Sequence, residues 1–257
     1  MSNLMDDPLT RDWFETPLGR YLLAAEQTYF DEEVADVFGF NAFQLGFARF
    51  DFLRTNRMPL RCRLGEYGPV RVRADLCHLP ILGSCADLVL LPHVLEFSDS
   101  PHQVLREVSR MLMPEGHVIV SGFNPWSMWG ARRYLGHERA HYPWNGQFIG
   151  LPRLKDWMAL LGIEIVGGRM CCYLPPLRSD KWLQRLAFLE AAGDRWWPIG
   201  GGVYFLHGVK RVHGMRVITP QWKKDRVKSK RLAAIPQRVS EDERLVARKI
   251  EDGSTDR

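Results

Sequence analysis

The amino-acid sequence predicts a doubly wound α/β fold: a mostly parallel sheet, helices on its faces, N-terminal helices ahead of it and a basic tail behind it. Two patterns carry that prediction. Strand-like and helix-like segments alternate between Asn41 and Asn124, as they do in successive βα units. Leu88 to Leu91 is an unbroken apolar run introduced by Asp87, the pattern of a strand buried on both faces. With 46% hydrophobic and 25% charged residues among 257, the chain has material for one such domain with additions. The expected division is a helical extension over 1–40, the α/β domain over 41–216 and a charged, disordered tail over 217–257.

Pro8 to Phe40 reads as helical. Thr16 suits an N-cap and Pro17 the first helical position. Leu18, Tyr21, Leu22 and Ala25 give the stretch to Gln27 a helix-period face, and Val34 to Phe38 adds a turn before Gly39. Ala42 to Leu45 is a short strand, Phe50 to Arg57 a short helix, and Arg61 to Leu64 and Val70 to Ala74 are strand-like. Ser100 caps a helix to Met113, with Pro101 at its first position and Val104, Leu105, Val108 and Leu112 as its apolar stripe. Pro114-Glu115-Gly116 ends it, and His117 to Ser121 is the next strand. Gly122 to Gly150 is aromatic and turn-rich. Pro152 to Leu161 is a helix stopped by Gly162. Ile163 to Tyr173 is a strand interrupted by Gly167-Gly168, Asp180 to Ala192 a helix, and Val203 to Val212 the last strand. Beyond Trp222 the chain is charged and weakly apolar, as disordered segments are.

Composition also excludes. The longest uncharged stretches, such as Leu88 to Leu95, fall far short of the roughly 20 residues of a membrane span. Met1 to Thr10 carries Asp6 and Asp7 and no apolar core of a secretory signal. Five cysteines without a C-x-x-C pair argue against a zinc ribbon or disulfide framework and for a reducing cytoplasm. The net charge of +5 is unevenly placed. Residues 207–233 hold nine Lys/Arg and one acid, whereas everything before them sums to −2. A basic body face made for nucleic acid is therefore not expected, and a small-molecule partner is favoured.

Ala74 to Phe123 resembles the type 11 class of S-adenosylmethionine-dependent methyltransferases. Four features match in order. Asp75 ends a strand region and is followed by Leu79-Pro80. A D-L-V strand leads into H-V-L-E, Asp87 to Glu96. An L-x-E-x-x-R-x-L helix follows at Leu105, Glu107, Arg110 and Leu112. Pro114 and Gly116 then open the next strand. The resemblance implies a Rossmann-like methyltransferase fold, S-adenosyl-L-methionine as cofactor and methyl transfer as the activity.

The glycine-rich motif of that family is degenerate here. Its G-x-G-x-G falls on Gly46-Phe47-Ala48-Arg49-Phe50, so only the first glycine remains, and Gln44 replaces the acid at the end of the first strand. Gln44 can hydrogen-bond the methionyl ammonium but cannot balance its charge. Phe50 occupies space that a glycine leaves open. Only Gly65 to Pro69 separates the second and third strand candidates, too short for a crossover helix, so a hairpin or a lost strand is expected there. Glu66 has the spacing of a ribose-binding acid but also of a solvated turn residue.

The resemblance places the cofactor at Gln44, Gly46, Asp75, Leu76 and His93. Asp75 accepts the adenine amino group and Leu76 covers the ring. The plainer readings are a turn glycine for Gly46 and a turn cap for Asp75. His93 lies beyond a strand's C-terminal end and has the ordinary pKa of a general base, against a role as cofactor wall or packing. Asn124, Trp126 and Trp129 open the aromatic stretch that would hold the acceptor, or else a loop packed over the sheet. No metal site is expected. Two other functions fit the same residues: a catalytically inactive methyltransferase-like binding module, and an RNA methyltransferase tethered by the basic run from Trp222 to Arg231.

Overall fold

The computed structural model describes residues 8–136, 141–177 and 179–212. The chain opens with α1 (Pro8–Glu15) and α2 (Pro17–Ala35). Thr16 is the N-cap of α2, with extended backbone and a side-chain oxygen that accepts the Gly19 N–H at 3.1 Å. Thr16→Ala is expected to cost about 1 kcal/mol, read as a lower urea midpoint with an unchanged slope.

Leu18, Leu22, Glu26, Phe30 and Val34 follow one another at four-residue steps along α2, and all are buried. The apolar four pack into one core with Ala42, Leu88, Ile119 and Phe205 of the sheet. The N-terminal helices thus share the core of the α/β domain.

The strands are β1 (Asn41–Leu45), β2 (Leu60–Gly65), β3 (Val72–Arg73), β4 (Ala86–Pro92), β5 (Leu112–Phe123), β6 (Ile163–Cys171) and β7 (Val203–Lys210). They form a seven-stranded sheet in the order β3-β2-β1-β4-β5-β7-β6. The pairs from β3 through β5 are parallel, and β7 runs antiparallel to both its neighbours. The mostly parallel α/β sheet expected from the sequence is present. The other face is covered by α4 (Pro101–Met111) and α6 (Leu151–Leu160), whose Val104, Leu105, Val108, Leu154 and Met158 pack with Leu45, Val89, Leu91 and Val118. The remaining helices are α3 (Val94–Phe97), α5 (Met128–Leu135), α7 (Asp180–Arg185) and α8 (Phe188–Trp196).

Several expectations are corrected. β2 and β3 are neither a hairpin nor one strand short: they pair in parallel, Leu64 with Val72 and Gly65 with Arg73. A crossover must be long when it returns the whole length of a strand. Here only strand ends pair, so residues 66–71 need to step back barely one residue along β2. The helix expected over Phe50 to Arg57 is a series of turns. Side chains take the backbone donors there: Phe52 N–H goes to Gln44 Oε1 at 3.0 Å and Leu53 N–H to Asp51 Oδ1 at 3.0 Å. Phe30 of α2 lies against Phe52, ring centroids 4.7 Å apart, over this helix-free crossover.

The aromatic stretch contains α5, capped by Ser127 accepting from Gly130 N–H at 3.2 Å. The glycine interruption in β6 is a register shift between Ile165 and Gly167. The single helix expected over Asp180 to Ala192 is two. Glu190 of α8 accepts the Cys172 and Tyr173 N–H groups at 2.9 and 3.0 Å, tying α8 to the end of β6 independently of α7. The tail and its basic run lie outside the described residues. Among the described residues, no helix is long and apolar enough to cross a membrane.

Candidate active site at the strand ends

Ligands of open α/β sheets bind beyond the C-terminal ends of the parallel strands. Two adjacent ends are strained here. β1 runs into Gly46 at φ 70° and Phe47 at φ 45°, and β4 runs into His93 at φ 49°. Left-handed backbone at a non-glycine residue costs of order 1–3 kcal/mol and persists only where surrounding structure enforces it. The Phe47 and His93 rings face each other across the two ends, centroids 5.9 Å apart.

Gln44 enforces the first bend. Its buried amide Nε2 donates to the carbonyls of Gly46, Phe47 and Phe50 at 3.3, 3.1 and 2.8 Å, while Oε1 accepts from Phe52. The expected contact from Gln44 to a methionyl ammonium is therefore corrected: its donors are spent inside the loop. Gly46 sits at the end of β1 as expected, its N–H bonded to Leu64 O at 2.8 Å. Phe50 packs on Phe14 of α1, centroids 5.0 Å apart, and Phe14 also meets Phe47 at 5.5 Å.

Two carboxylates enforce the second bend. His93 has no exposed surface, nor does Glu26 of α2. His93 Nε2 meets Glu26 Oε1 at 2.5 Å and its Nδ1 meets Glu96 Oε1 at 3.2 Å. Glu96 Oε1 also accepts the Phe123 N–H at 2.6 Å, and Ser121 Oγ donates to Glu26 Oε1 at 3.4 Å. Burial alone pulls the imidazole pKa down, but Glu26 and Glu96 outweigh it and push it up to about 10. An imidazolium has no lone pair to accept a proton, so the expected role of His93 as general base is corrected. The ring instead holds two elements to the ends of β4 and β5, stacked on Phe123 at 4.0 Å.

The other edge is acidic and open. Glu66 follows β2 directly and Asp75 follows β3, both exposed. Partial burial and the charges of Asp75 and Asp99 raise the Glu66 carboxyl. Hydrogen bonds from the His78 ring and the Cys77 N–H hold Asp75 below the usual carboxylate range. Asp75 thus caps its turn while leaving half its side chain in solvent, with Leu76 half-buried beside it. Neighbouring acids of this kind attract neutral hydrogen-bond donors such as hydroxyls and amino groups.

Beyond β5, Asn124 and Trp129 are structural, which corrects their expected role at the acceptor. Asn124 Nδ2 donates to Ile199 O and Gly201 O at 2.8 and 3.0 Å, and its Oδ1 accepts from Trp126 N–H. Trp129 is fully buried and donates Nε1–H to Leu174 O at 3.0 Å. Trp126 is 80% exposed. Glu26 escaped the sequence reading: it is the acid at the centre of the buried stripe that runs along α2 in four-residue steps, and that misfit was the available signal. Tyr142 lies in the aromatic stretch from which an acceptor contact was expected.

Strand order, antiparallel β7 and ligand edge together define a class I methyltransferase fold. Comparison with known proteins agrees. Residues 25–120 match the methyltransferase domain family. Over 165 residues the chain is 30% identical to the uncharacterised protein YafS of Escherichia coli K12, covering 63% of this chain and 69% of that one. Among solved structures, an S-adenosylmethionine-dependent methyltransferase of Thermotoga maritima aligns over 79% of this chain and 95% of its own, with TM-score 0.58 and 16% identity. One from Archaeoglobus fulgidus aligns over 79% and 100%, with TM-score 0.58 and 14% identity. The chain belongs to the class I S-adenosylmethionine-dependent methyltransferases, whose methyl donor is S-adenosylmethionine.

The open acidic edge fits the nucleoside half of that donor. Ribose hydroxyls and an adenine amino group are neutral donors of the kind exposed carboxylates accept, and the Asp75 side chain stays half in solvent although its oxygens already meet the Cys77 N–H and the His78 ring.

Proposed function

We propose that the protein transfers a methyl group from S-adenosylmethionine to a small-molecule acceptor. The row of strand ends carries this reading: exposed Glu66 and Asp75 at β2 and β3, then strained Phe47 and His93 at β1 and β4. Asp75 would accept from the adenine amino group, Leu76 would lie beside the ring, Glu66 would take the ribose hydroxyls, and Gly46 would let the backbone approach. Bound there, the donor supplies an activated methyl group. Its reaction is chiefly an alignment problem, so the protein's main task is to orient donor and acceptor. The net charge of −2 over residues 1–206 supports a small acceptor over nucleic acid.

Calorimetric titration with S-adenosylhomocysteine tests the reading. Micromolar binding is expected for the wild type. Asp75→Ala should weaken it by about tenfold or more, the worth of one charge-assisted hydrogen bond. The melting temperature should barely move, because the Asp75 side chain is 53% exposed. Asp75→Asn, which keeps an acceptor for the Cys77 N–H, guards against a loosened turn. Undetectable binding at millimolar ligand would sink the methyl-transfer reading.

A second reading is a methyltransferase fold without catalysis, serving as a binding module. It is favoured by the rings of Phe14, Phe47 and Phe50, which crowd the end of β1 where the family keeps glycines. The same titration separates the two, since a filled donor site does not bind S-adenosylhomocysteine.

A further inference from the structure

Buried polar atoms are nearly always paired, and an unpaired one costs about 1–3 kcal/mol unless water or a ligand meets it. Three such atoms lie around His93: Glu26 Oε2, Glu96 Oε2 and the Tyr142 hydroxyl. They come from three separate elements, α2, α3 and the segment after α5. Tyr142 is 3% exposed. Burial, and then the charges of Glu26 and Glu96, hold its hydroxyl protonated well above the ordinary value, so the phenol keeps a proton that no acceptor takes.

The surroundings are aromatic. Phe97 stacks on Tyr142 at 5.2 Å, and Phe47 and Phe123 lie 6.2 and 6.5 Å from it. Trp13 and Phe14 of α1 also pack on the Tyr142 ring, centroids 5.1 and 5.4 Å away. Two carboxyl groups, each with a buried oxygen that no donor meets, thus lie against one imidazole ring. Aromatic faces around carboxyl oxygens that lack donors are the chemistry that selects an organic cation.

Position decides which substrate that is. The donor's nucleoside half belongs over β2 and β3, where Glu66 and Asp75 lie. The Glu26–His93–Glu96 cluster sits across β1, at the ends of β4 and β5. We propose that Glu26, Glu96 and Tyr142 form the acceptor subsite, and that the methyl acceptor is a protonatable amine carrying an apolar or aromatic group. The proposal rests on the methyl-transfer reading above.

The amine enters as an ammonium ion and gives one proton to Glu26 Oε2. Its nitrogen lone pair then forms the new N–C bond to the methyl carbon. The carbon–sulfur bond breaks with its electron pair remaining on sulfur. The N-methylammonium product keeps the charge that Glu96 and the aromatic faces compensate, and the Glu26 proton returns to solvent as product leaves. Glu26 thus both binds the acceptor and takes its proton, and Tyr142 binds it.

The test is binding of 2-phenylethylamine and of its neutral analogue 2-phenylethanol to the full chain, by calorimetry, with S-adenosylhomocysteine titrated separately. The amine is expected to bind at least tenfold more tightly than the alcohol. Glu26→Gln should abolish that preference, and Tyr142→Phe, which removes one buried unpaired hydroxyl and leaves the fold intact, should weaken the amine several-fold. Tyr142→Phe should leave S-adenosylhomocysteine affinity within twofold. Equal binding of amine and alcohol, amine binding unmoved by both variants, or no amine binding by a protein that binds S-adenosylhomocysteine would each overturn the subsite. Amine binding that depends on Glu26 in a protein deaf to S-adenosylhomocysteine would uphold the subsite and overturn the donor reading instead.

Discussion

His93→Ala is expected to lose about 3–5 kcal/mol of folding stability, because it removes one member of a buried charged network and leaves two carboxyl groups facing each other without water. Glu26 and Glu96 lose their shared partner at 2.5 and 3.2 Å, and Phe123 loses the ring stacked on it. Urea unfolding at pH 7 reads the loss directly. The pH dependence gives a second, independent signature. The folded pKa of His93 is raised to about 10, against about 6.5 in an unfolded chain. A raised folded pKa means that the native state holds the proton that the unfolded state releases. Its stabilisation is therefore complete below pH 6.5 and is lost as pH rises from there through 10. The wild type should weaken across that window, and His93→Ala should lose this part of the slope. The groups facing His93 are Glu26 from α2 and Glu96 from α3, with Ser121 of β5 donating to Glu26 and the protonated Tyr142 hydroxyl buried near both carboxyl groups without a hydrogen bond to either. A variant with wild-type midpoint and wild-type slope would show that the network contributes nothing.

The contrast between what the sequence foretold and what it did not has a physical pattern. β4 was legible because a strand buried on both faces needs an unbroken apolar run. α2 and α4 were legible because Thr16-Pro17 and Ser100-Pro101 mark helix starts, although only Thr16 makes a side-chain cap bond and α4 opens on Pro101 without one from Ser100. Asp75 and Gly46 were legible because a strand's C-terminal end fixes where the next residues lie. The turns over Phe50 to Arg57 were not, since they depend on the buried Gln44 side chain at the end of β1 capturing the Phe52 backbone donor. Nor was the parallel β2–β3 pairing, which turns on how little of each strand pairs. Glu26 and His93 lie 67 residues apart, and their contact exists only after α2 packs on the sheet. Asn124 and Trp129 looked like ligand groups because a buried asparagine clamp and a buried indole have the same letters as exposed ones.

Gln44→Glu, the substitution that restores the family's acid, is expected to damage the protein. A naive reading predicts tighter donor binding, since a carboxylate balances the methionyl ammonium. The geometry says otherwise. Nε2 of Gln44 donates to three carbonyl oxygens, of Gly46, Phe47 and Phe50, and a carboxylate has no proton to offer them. It would instead place a negative charge, fully buried, against three partial negative charges. Lost hydrogen bonds and unpaired carbonyls of about 1 kcal/mol or more each, together with the buried charge, put the cost at about 3 kcal/mol or above. Phe47 and its left-handed backbone then lose the bonds that enforce them, so S-adenosylhomocysteine affinity should fall with stability, by about tenfold or more. Gln44→Leu shares the lost hydrogen bonds but not the charge, and should be less destabilising than Gln44→Glu. A Gln44→Glu protein of unchanged stability that binds S-adenosylhomocysteine more tightly would show that the loop tolerates the acid and that Gln44 faces the donor after all. The opposite result would mean that this chain exchanged charge balance at β1 for a loop held by a single amide, and that Ala48 and Phe50 could replace the family's second and third glycines because that amide holds the loop in place of them.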